Sequence, residues 1–368
     1  MQKDINNAFK FLHAGVQLKN RAVLAPLTHN MSADNGDPSQ AELDWLANCI
    51  RGGFGLIIAA ATQVWPGGRC WSGQPALMTL SQQNAFSSLA KVADENDAQV
   101  LVQLHHGGVR ALPDLNKGAP SGPSAEQPGD RYALGVTELK DNDIHELIEA
   151  FVRSAQRAYD AGLHGVELHA AHNFLLCNFL NPQVNRRTDQ WGGSVQNRAR
   201  FLIEIVRGIR ARMPRKFLIG VRLSPESYAN VVGIKLENQL AVTRLLSAEE
   251  IDYVHYSMGN TFKSVNAKVG TDLLTELSKA NPTNIPMMVA GKIQDEKDAK
   301  LALAGGADLL AIGTAALGNP DWVKRVNEGA SLIYPPFSES WIAEQGFSFE
   351  ALKYLRSMNG VLERVKEA

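Results

Sequence analysis

The sequence predicts an α/β chain closed into one (β/α)8 TIM barrel, and three observations carry that prediction. Short runs rich in Val, Ile, Leu and Ala recur eight times. Longer segments of helical periodicity separate them, and most of the short runs are apolar on both faces, as strands enclosed between a barrel interior and a helical layer must be. A length of 368 residues admits either one barrel with insertions or two average domains. No second composition regime appears along the chain, so residues 1–368 read as a single domain.

Taken in order, residues Phe9–Leu18 set Ala-Gly between two short apolar runs, which predicts a hairpin capping the N-terminal end of the barrel. The eight predicted strands are Arg21–Leu27, Gly55–Thr62, Gln99–His105, Gly165–His169, Phe217–Leu223, Tyr253–Ser257, Pro286–Gly291 and Asp308–Gly313. The clearest helix runs from Asn142 to Ala161, where Ile144, Leu147, Ile148, Phe151, Val152 and Ala155 mark one apolar stripe. Between the third strand and this helix, Gly107–Lys140 is rich in Gly and Pro. A connection of that length usually carries function, and it reads as a lid or side wall over the active face.

Composition narrows the function. With 45% hydrophobic and 20% charged residues the chain can bury a substantial core. Lys+Arg (37) nearly balances Asp+Glu (38), so the chain carries no footprint for nucleic acid or an acidic membrane surface. A small-molecule partner is expected, and a homo-oligomer stays open. Cys49, Cys70 and Cys177 are too widely spaced for a disulfide framework or a zinc site; they read as reduced thiols, with no metal expected. The first residues mix charges into short apolar runs, unlike a signal peptide or membrane span, and a cytoplasmic protein is expected.

In this fold, functional groups project from the C-terminal ends of the strands. Period-2 alternation in Gly165-Val-Glu-Leu-His169 sends Glu167 and His169 inward, and in the fifth strand it puts Arg222 and Ser224 opposite Val221 and Leu223. An inward arginine needs an anionic or polar partner, either an internal ion pair with Glu167 or a ligand. Gln103 shares a face with His105 and reads equally as a satisfied core amide or a ligand group. Strands seven and eight end in Gly291-Lys292 and Gly313-Thr314, and paired glycines there suit a phosphate site.

These residues belong to longer motifs that resemble the old yellow enzyme family over nearly the whole chain. Leu18-Lys-Asn-Arg21 through Ala25-Pro26-Leu27-Thr28 is similar to the family's opening segment, whose backbone and hydroxyl lie against the flavin. Gly55-Leu-Ile-Ile58 with Ala61-Thr62 resembles the second strand, Ala61 matching a small residue beside the ring. Gln103-Leu-His-His106-Gly resembles the third, where the glutamine meets the flavin pyrimidine. Arg222 matches the arginine that stabilises the reduced ring. The most specific match runs from Gly165 to His172 and on through Asn185-Arg-Arg-Thr-Asp189, Gly192-Gly-Ser194 and Asn197-Arg198.

The resemblance implies noncovalently bound FMN, held by Ala25, Pro26, Leu27, Thr28, Ala61, Gln103, His169, Arg222, Gly291, Lys292, Gly313 and Thr314. It implies NAD(P)H as reductant and a ping-pong transfer of hydride to electron-poor molecules such as activated alkenes. His169 and His172 would donate to the acceptor oxygen, with Thr28 assisting at the flavin and Phe174 in the substrate site. Three departures stand out. Phe174 replaces the family's usual tyrosine, which supplies a proton; Thr314 replaces a phosphate-binding arginine; and Trp191 and Gln196 replace Tyr and Glu, as packing and surface variation. Phe174 therefore keeps open a quinone or nitro-compound reductase with little ene-reductase activity. Outside this class stand a barrel isomerase or aldolase and a non-catalytic flavin-binding protein.

Overall fold

The computed structural model describes residues 3–125, 135–227, 233–266 and 271–364. Eight strands, β1 (Ala22–Leu24), β2 (Leu56–Gln63), β3 (Gln99–His105), β4 (Gly165–Ala170), β5 (Leu218–Leu223), β6 (Tyr253–Ser257), β7 (Met287–Ala290) and β8 (Leu309–Ile312), form a closed parallel barrel. Helices α1 (Gln40–Arg51), α2 (Leu80–Glu95), α3 (Asp141–Asp160), α4 (Val195–Arg212), α5 (Leu236–Leu246), α6 (Leu273–Ala280) and α7 (Glu296–Ala304) follow β1 to β7 in turn. After β8 come α8 (Thr314–Gly318), α9 (Trp322–Glu328), α10 (Glu339–Glu344) and α11 (Phe349–Ser357).

The barrel fold expected from the sequence is therefore present. Several strands are shorter at their ends than predicted, and the reason is physical. Pro26 has no N–H to continue the β1 ladder, Gly291 turns out of β7 at φ +141°, and these released segments line the barrel mouth. Helix α3 begins at Asp141, one residue earlier than expected, because the Asp143 carboxylate accepts from the Lys140 amide at 2.8 Å and closes the first turn.

At the opposite end, the short strands Phe9–Lys10 and Gln17–Leu18 form the expected antiparallel hairpin. Between and beside them, Phe11 and Leu18 pack into the interior against Val23, Leu56, Leu101, Leu218, Tyr253, Met288 and Leu309. Each is fully buried and contributes about 1.5–3 kcal/mol, enough to seat the plug. Outward-facing Val166, Leu168, Val221 and Leu223 join the larger core beneath the helices, leaving Glu167, His169 and Arg222 inside as the alternation requires.

The connection after β3 begins with the single turn Gly108–Arg110 and the short helix Pro113–Asn116, and the two-residue strands Ser121–Gly122 and Thr137–Glu138 pair in parallel. Its middle, 126–134, lies outside the described residues. The described start forms a side wall, tied to the β2 loop by Asn116 bonds to the Arg69 backbone. Among the described residues no helix is long and apolar enough to cross a membrane.

Candidate active site

A cavity of about 300 Å³ opens at the C-terminal ends of the strands. Ala25, Pro26, Leu27, Arg222, Gly291, Lys292, Gly313 and Thr314 all line it, so eight of the sequence-predicted residues come together from the ends of four separate strands. Ser257, Met258 and the C-terminal Asn359, Gly360 and Val361 line it too. A Cβ added at Gly313 would meet nothing closer than Leu27 Cδ2 at 3.5 Å and Ala25 Cβ at 3.9 Å, both in the cavity wall. The missing side chain at Gly313 thus leaves open space where a ligand's backbone-bound group can sit. Gly291 is different: a Cβ there would lie 2.4 Å from the Met258 carbonyl oxygen, so its glycine serves close packing of two loops.

Beneath the mouth lies a buried polar cluster. Gln103 donates to Glu167 at 2.7 Å, Tyr253 donates to the same carboxylate at 3.1 Å, and His255 Nδ1 stands 2.9 Å from it. Gly220 makes this possible, because a Cβ there would lie 2.0 Å from Tyr253 Cζ, where the ring crosses its strand. Burial pushes the Glu167 carboxyl up, but His255, Arg222 and the Gln103 amide outweigh burial and hold it below its ordinary value. The carboxylate is thus ionised, and it fixes Gln103. Arg222 donates to Ser257 Oγ at 2.9 Å, its charge helps to lower the Glu167 carboxyl, and the carboxylate itself is hydrogen-bonded by His255 Nδ1, whose ring burial holds below its ordinary value.

Above this layer the imidazoles form a row. His105 Nδ1 lies 3.0 Å from His169 Nδ1, His169 Nε2 lies 2.8 Å from His172 Nδ1, and His172 Nε2 lies 2.8 Å from Ser257 Oγ. His172 and Asn173 both have positive φ, 60° and 58°. This uncommon pair is pinned by His172 N to Ser224 Oγ (3.0 Å) and Asn178 Nδ2 to Asn173 O (2.9 Å). Burial, then the surrounding imidazoles and the Arg222 and Arg110 cations, hold His169 far below the usual histidine range. His172 is lowered as strongly by burial, Arg222 and Arg110, and His105 by burial, His106 and Arg110. At neutral pH the row is therefore uncharged, each ring having one N–H to give.

Such a row can offer N–H groups to an oxygen that gains negative charge. The sequence expectation put His169 and His172 on one acceptor oxygen. The structure brings them together but joins them to each other, so that bond has to open for either to reach a ligand.

Phe174 packs into the row, its ring centroid 4.4 Å from His105 and 4.9 Å from His169, with Trp71 at 6.3 Å. Arg110 lies over the Phe174 ring at 4.5 Å and donates to the His172 carbonyl at 2.8 Å. Tyr354 comes from α11, and burial raises its pKa against the opposing pull of Thr28 and Arg110. Ala61 does not line the cavity; it sits in β2 after a bulge, beside Gln103 in register, its carbonyl taken by Gln74. Sequence reasoning missed Arg110, Ser257, Tyr354 and the Asn359–Val361 segment. Ser257 had a signal, since it ends β6 as His169 nears the end of β4.

The long motif after His172 builds the frame around these groups. Asn185 Nδ2 donates to the Phe179 and Trp191 carbonyls, Arg187 pairs with Asp189, and Arg198 donates to the Leu180 carbonyl. Trp191 is fully buried with its indole on Asp141, while Gln196 is exposed, as packing and surface changes should be.

The model of the NADH:flavin oxidoreductase / NADH oxidase family matches residues 9–332. A probable NADH-dependent flavin oxidoreductase of Bacillus subtilis (strain 168) is 32% identical over 330 residues, covering 86% of each chain. An NADH oxidase of Thermoanaerobacter brockii is 32% identical over 325 residues; the alignment covers 85% of this chain but 49% of that longer protein. Among solved structures, the old yellow enzyme homologue from Zymomonas mobilis superposes with a TM-score of 0.79 at 24% identity, covering 94% of this chain and 96% of that one, a likeness of fold.

Proposed function

The chain belongs to the NADH:flavin oxidoreductase / NADH oxidase family, the old yellow enzyme group expected from its sequence, and from that premise we propose that it is an NAD(P)H:acceptor oxidoreductase acting by a ping-pong cycle on electron-poor small molecules, activated alkenes among them. It is an FMN enzyme with a reduced nicotinamide as donor. When bound, FMN would supply the redox chemistry between NAD(P)H and the acceptor. The observation that carries this reading is the juxtaposition of the open cavity at Gly313 and Arg222 with the uncharged histidine row.

The residues fit a flavin mononucleotide bound without a covalent link. Gly313 leaves room at its backbone, and Thr314 and Lys292 stand at the cavity for the phosphate where the family has an arginine. Arg222 brings a cation to the barrel axis, and Gln103, held by Glu167, presents its amide from the side. Ala25, Pro26 and Leu27 would form a wall against the ring. On the acceptor side, His169 and His172 open their mutual bond and donate to the acceptor oxygen, and Phe174 closes the site against water. An alkene acceptor also needs a proton on carbon, which Phe174 cannot give. That substitution favours quinones and nitro compounds as a second reading of the same site. Family membership leaves the isomerase, aldolase and non-catalytic readings without support.

The test is direct. The purified protein should be yellow and release FMN on acid or heat, bleach anaerobically with NADH or NADPH, and recolour with enone, quinone or nitro acceptors. Flavin that stays with the denatured chain, or reduced protein that no acceptor reoxidises, overturns the proposal.

A further inference from the structure

Resting on the reading above, we infer that Arg110 is a specificity residue for acceptors that carry a carboxylate. Its guanidinium covers the Phe174 ring at 4.5 Å, in the middle of the side chains that face the acceptor. Of its five N–H groups, the described contacts use one cluster only, NH1 on the His172 carbonyl at 2.8 Å. Some half-buried arginines are matched by carboxylates, Arg187 by Asp189 and Glu138, Arg210 by Asp252 and Arg325 by Asp321, while others, such as Arg21 and Arg200, spend their N–H groups on backbone carbonyls and amides. Among the described residues Arg110 makes no ion pair.

Its neighbours cannot balance it either. The imidazoles of His105, His169 and His172 are uncharged, and burial keeps the Tyr354 hydroxyl protonated. A half-buried cation held against an aromatic face and neutral rings is costly unless an anion completes it. The cofactor's phosphate does not serve, because the glycine-lined cavity lies at the β7 and β8 ends, whereas Arg110 rises from the loop after β3. The anion that fits is one on the acceptor, reaching Arg110 while another of its oxygens meets the histidine pair. The nicotinamide's pyrophosphate offers similar chemistry and is separated from it by experiment.

The oxidised FMN-loaded enzyme is titrated with 4-hydroxybenzoate and with 4-hydroxybenzamide, a neutral ligand of the same shape, following the flavin absorption. Wild type should bind the acid about tenfold or more tightly than the amide, the contribution of one charge-assisted contact. In Arg110→Met the ratio should fall to about one, with the amide affinity nearly kept, and Arg110→Lys should restore part of it. Equal binding of acid and amide by wild type overturns the inference, whatever the variants do and even if Arg110→Met fails to fold. A preference that persists in Arg110→Met also overturns it, as does a loss confined to the rate of reduction by NADH, which would assign Arg110 to the reductant. Failure to bind either ligand, together with no reoxidation by any acceptor, would instead refute the oxidoreductase reading itself.

Discussion

Replacing Phe174 by tyrosine tests whether this position limits alkene reduction. Its ring is 7% exposed and is gripped by His105 at 4.4 Å, His169 at 4.9 Å and the Arg110 guanidinium at 4.5 Å, so a tyrosine ring has little freedom to lie elsewhere. The new hydroxyl would meet neutral imidazoles and a cation. The cation favours the phenolate and so eases proton release. A positioned general acid is typically worth about 10²–10⁴-fold, and the lower figure corresponds to about 2.7 kcal/mol off the barrier. A hydroxyl that found no partner would cost about 1–3 kcal/mol of stability, but that loss does not enter a rate measured on folded, loaded enzyme. Phe174→Tyr should therefore speed reoxidation by a weakly activated enone about 100-fold and leave the quinone rate within about twofold, since a quinone needs no proton on carbon. Anaerobic stopped-flow on enzyme reduced beforehand measures both. Equal enone rates in the two proteins, with phenol affinity intact, refute the reasoning and leave Phe174 as an apolar wall.

Three further outcomes follow from the same geometry. His169→Ala with His172→Ala should weaken phenol or enone binding by at least about tenfold, the worth of one lost charge-assisted bond, while FMN stays bound; a flavin titration showing unchanged phenol affinity removes the pair from the acceptor site. Gly313→Val should fill the open space beside Leu27 and Ala25, giving a folded protein with little flavin, checked by absorbance ratio and circular dichroism. Stability should fall in acid. His106 is lowered to about 4 by burial, and His105, His169 and His172 are likewise held well below the ordinary histidine value, by burial first. Below the unfolded value of about 6.5 the unfolded chain takes up protons that the folded chain refuses, so stability is full above pH ~6.5 and declines as pH falls toward the folded values. For His106 alone, reaching pH 4 costs about 3 kcal/mol. Denaturant midpoints that do not move between pH 7.5 and 5 would contradict it.

Much of the site was legible because a strand has a period of two. That rule sent Glu167, His169 and Arg222 inward, the strand-end position of Gly291 and Gly313 put them at the mouth, and the structure agrees. It could not choose partners. Arg222 and Glu167 were both read as inward, yet which one His255 or Ser257 would take depends on β6, whose neighbours are set only when the barrel closes. Arg110, Tyr354 and Asn359 were invisible for a different reason. They stand on a loop and on segments beyond the last strand, where no periodicity says which side chain turns toward the mouth. The motif that carried most of the resemblance, Asn185 to Arg198, turns out to hold backbone carbonyls and ion pairs, so the specificity of a motif and its part in the chemistry are separate properties.

The balance of charge explains why so many histidines can gather here. Two cations, Arg222 and Arg110, flank the row, and the buried carboxylate of Glu167 faces Gln103, Tyr253 and His255. Burial first, and the cations with it, oppose a further positive charge, so the imidazoles stay neutral and their N–H groups remain dipoles that cost no proton to use. An acceptor oxygen entering this field gains stabilisation as it becomes negative, and gains more than the neutral ground state does, which is the condition for lowering a barrier instead of merely tightening binding. Protonating the row would add attraction for any anion equally, before and after transfer. On this argument the low histidine pKa values are part of what keeps the site selective for the moment when charge develops.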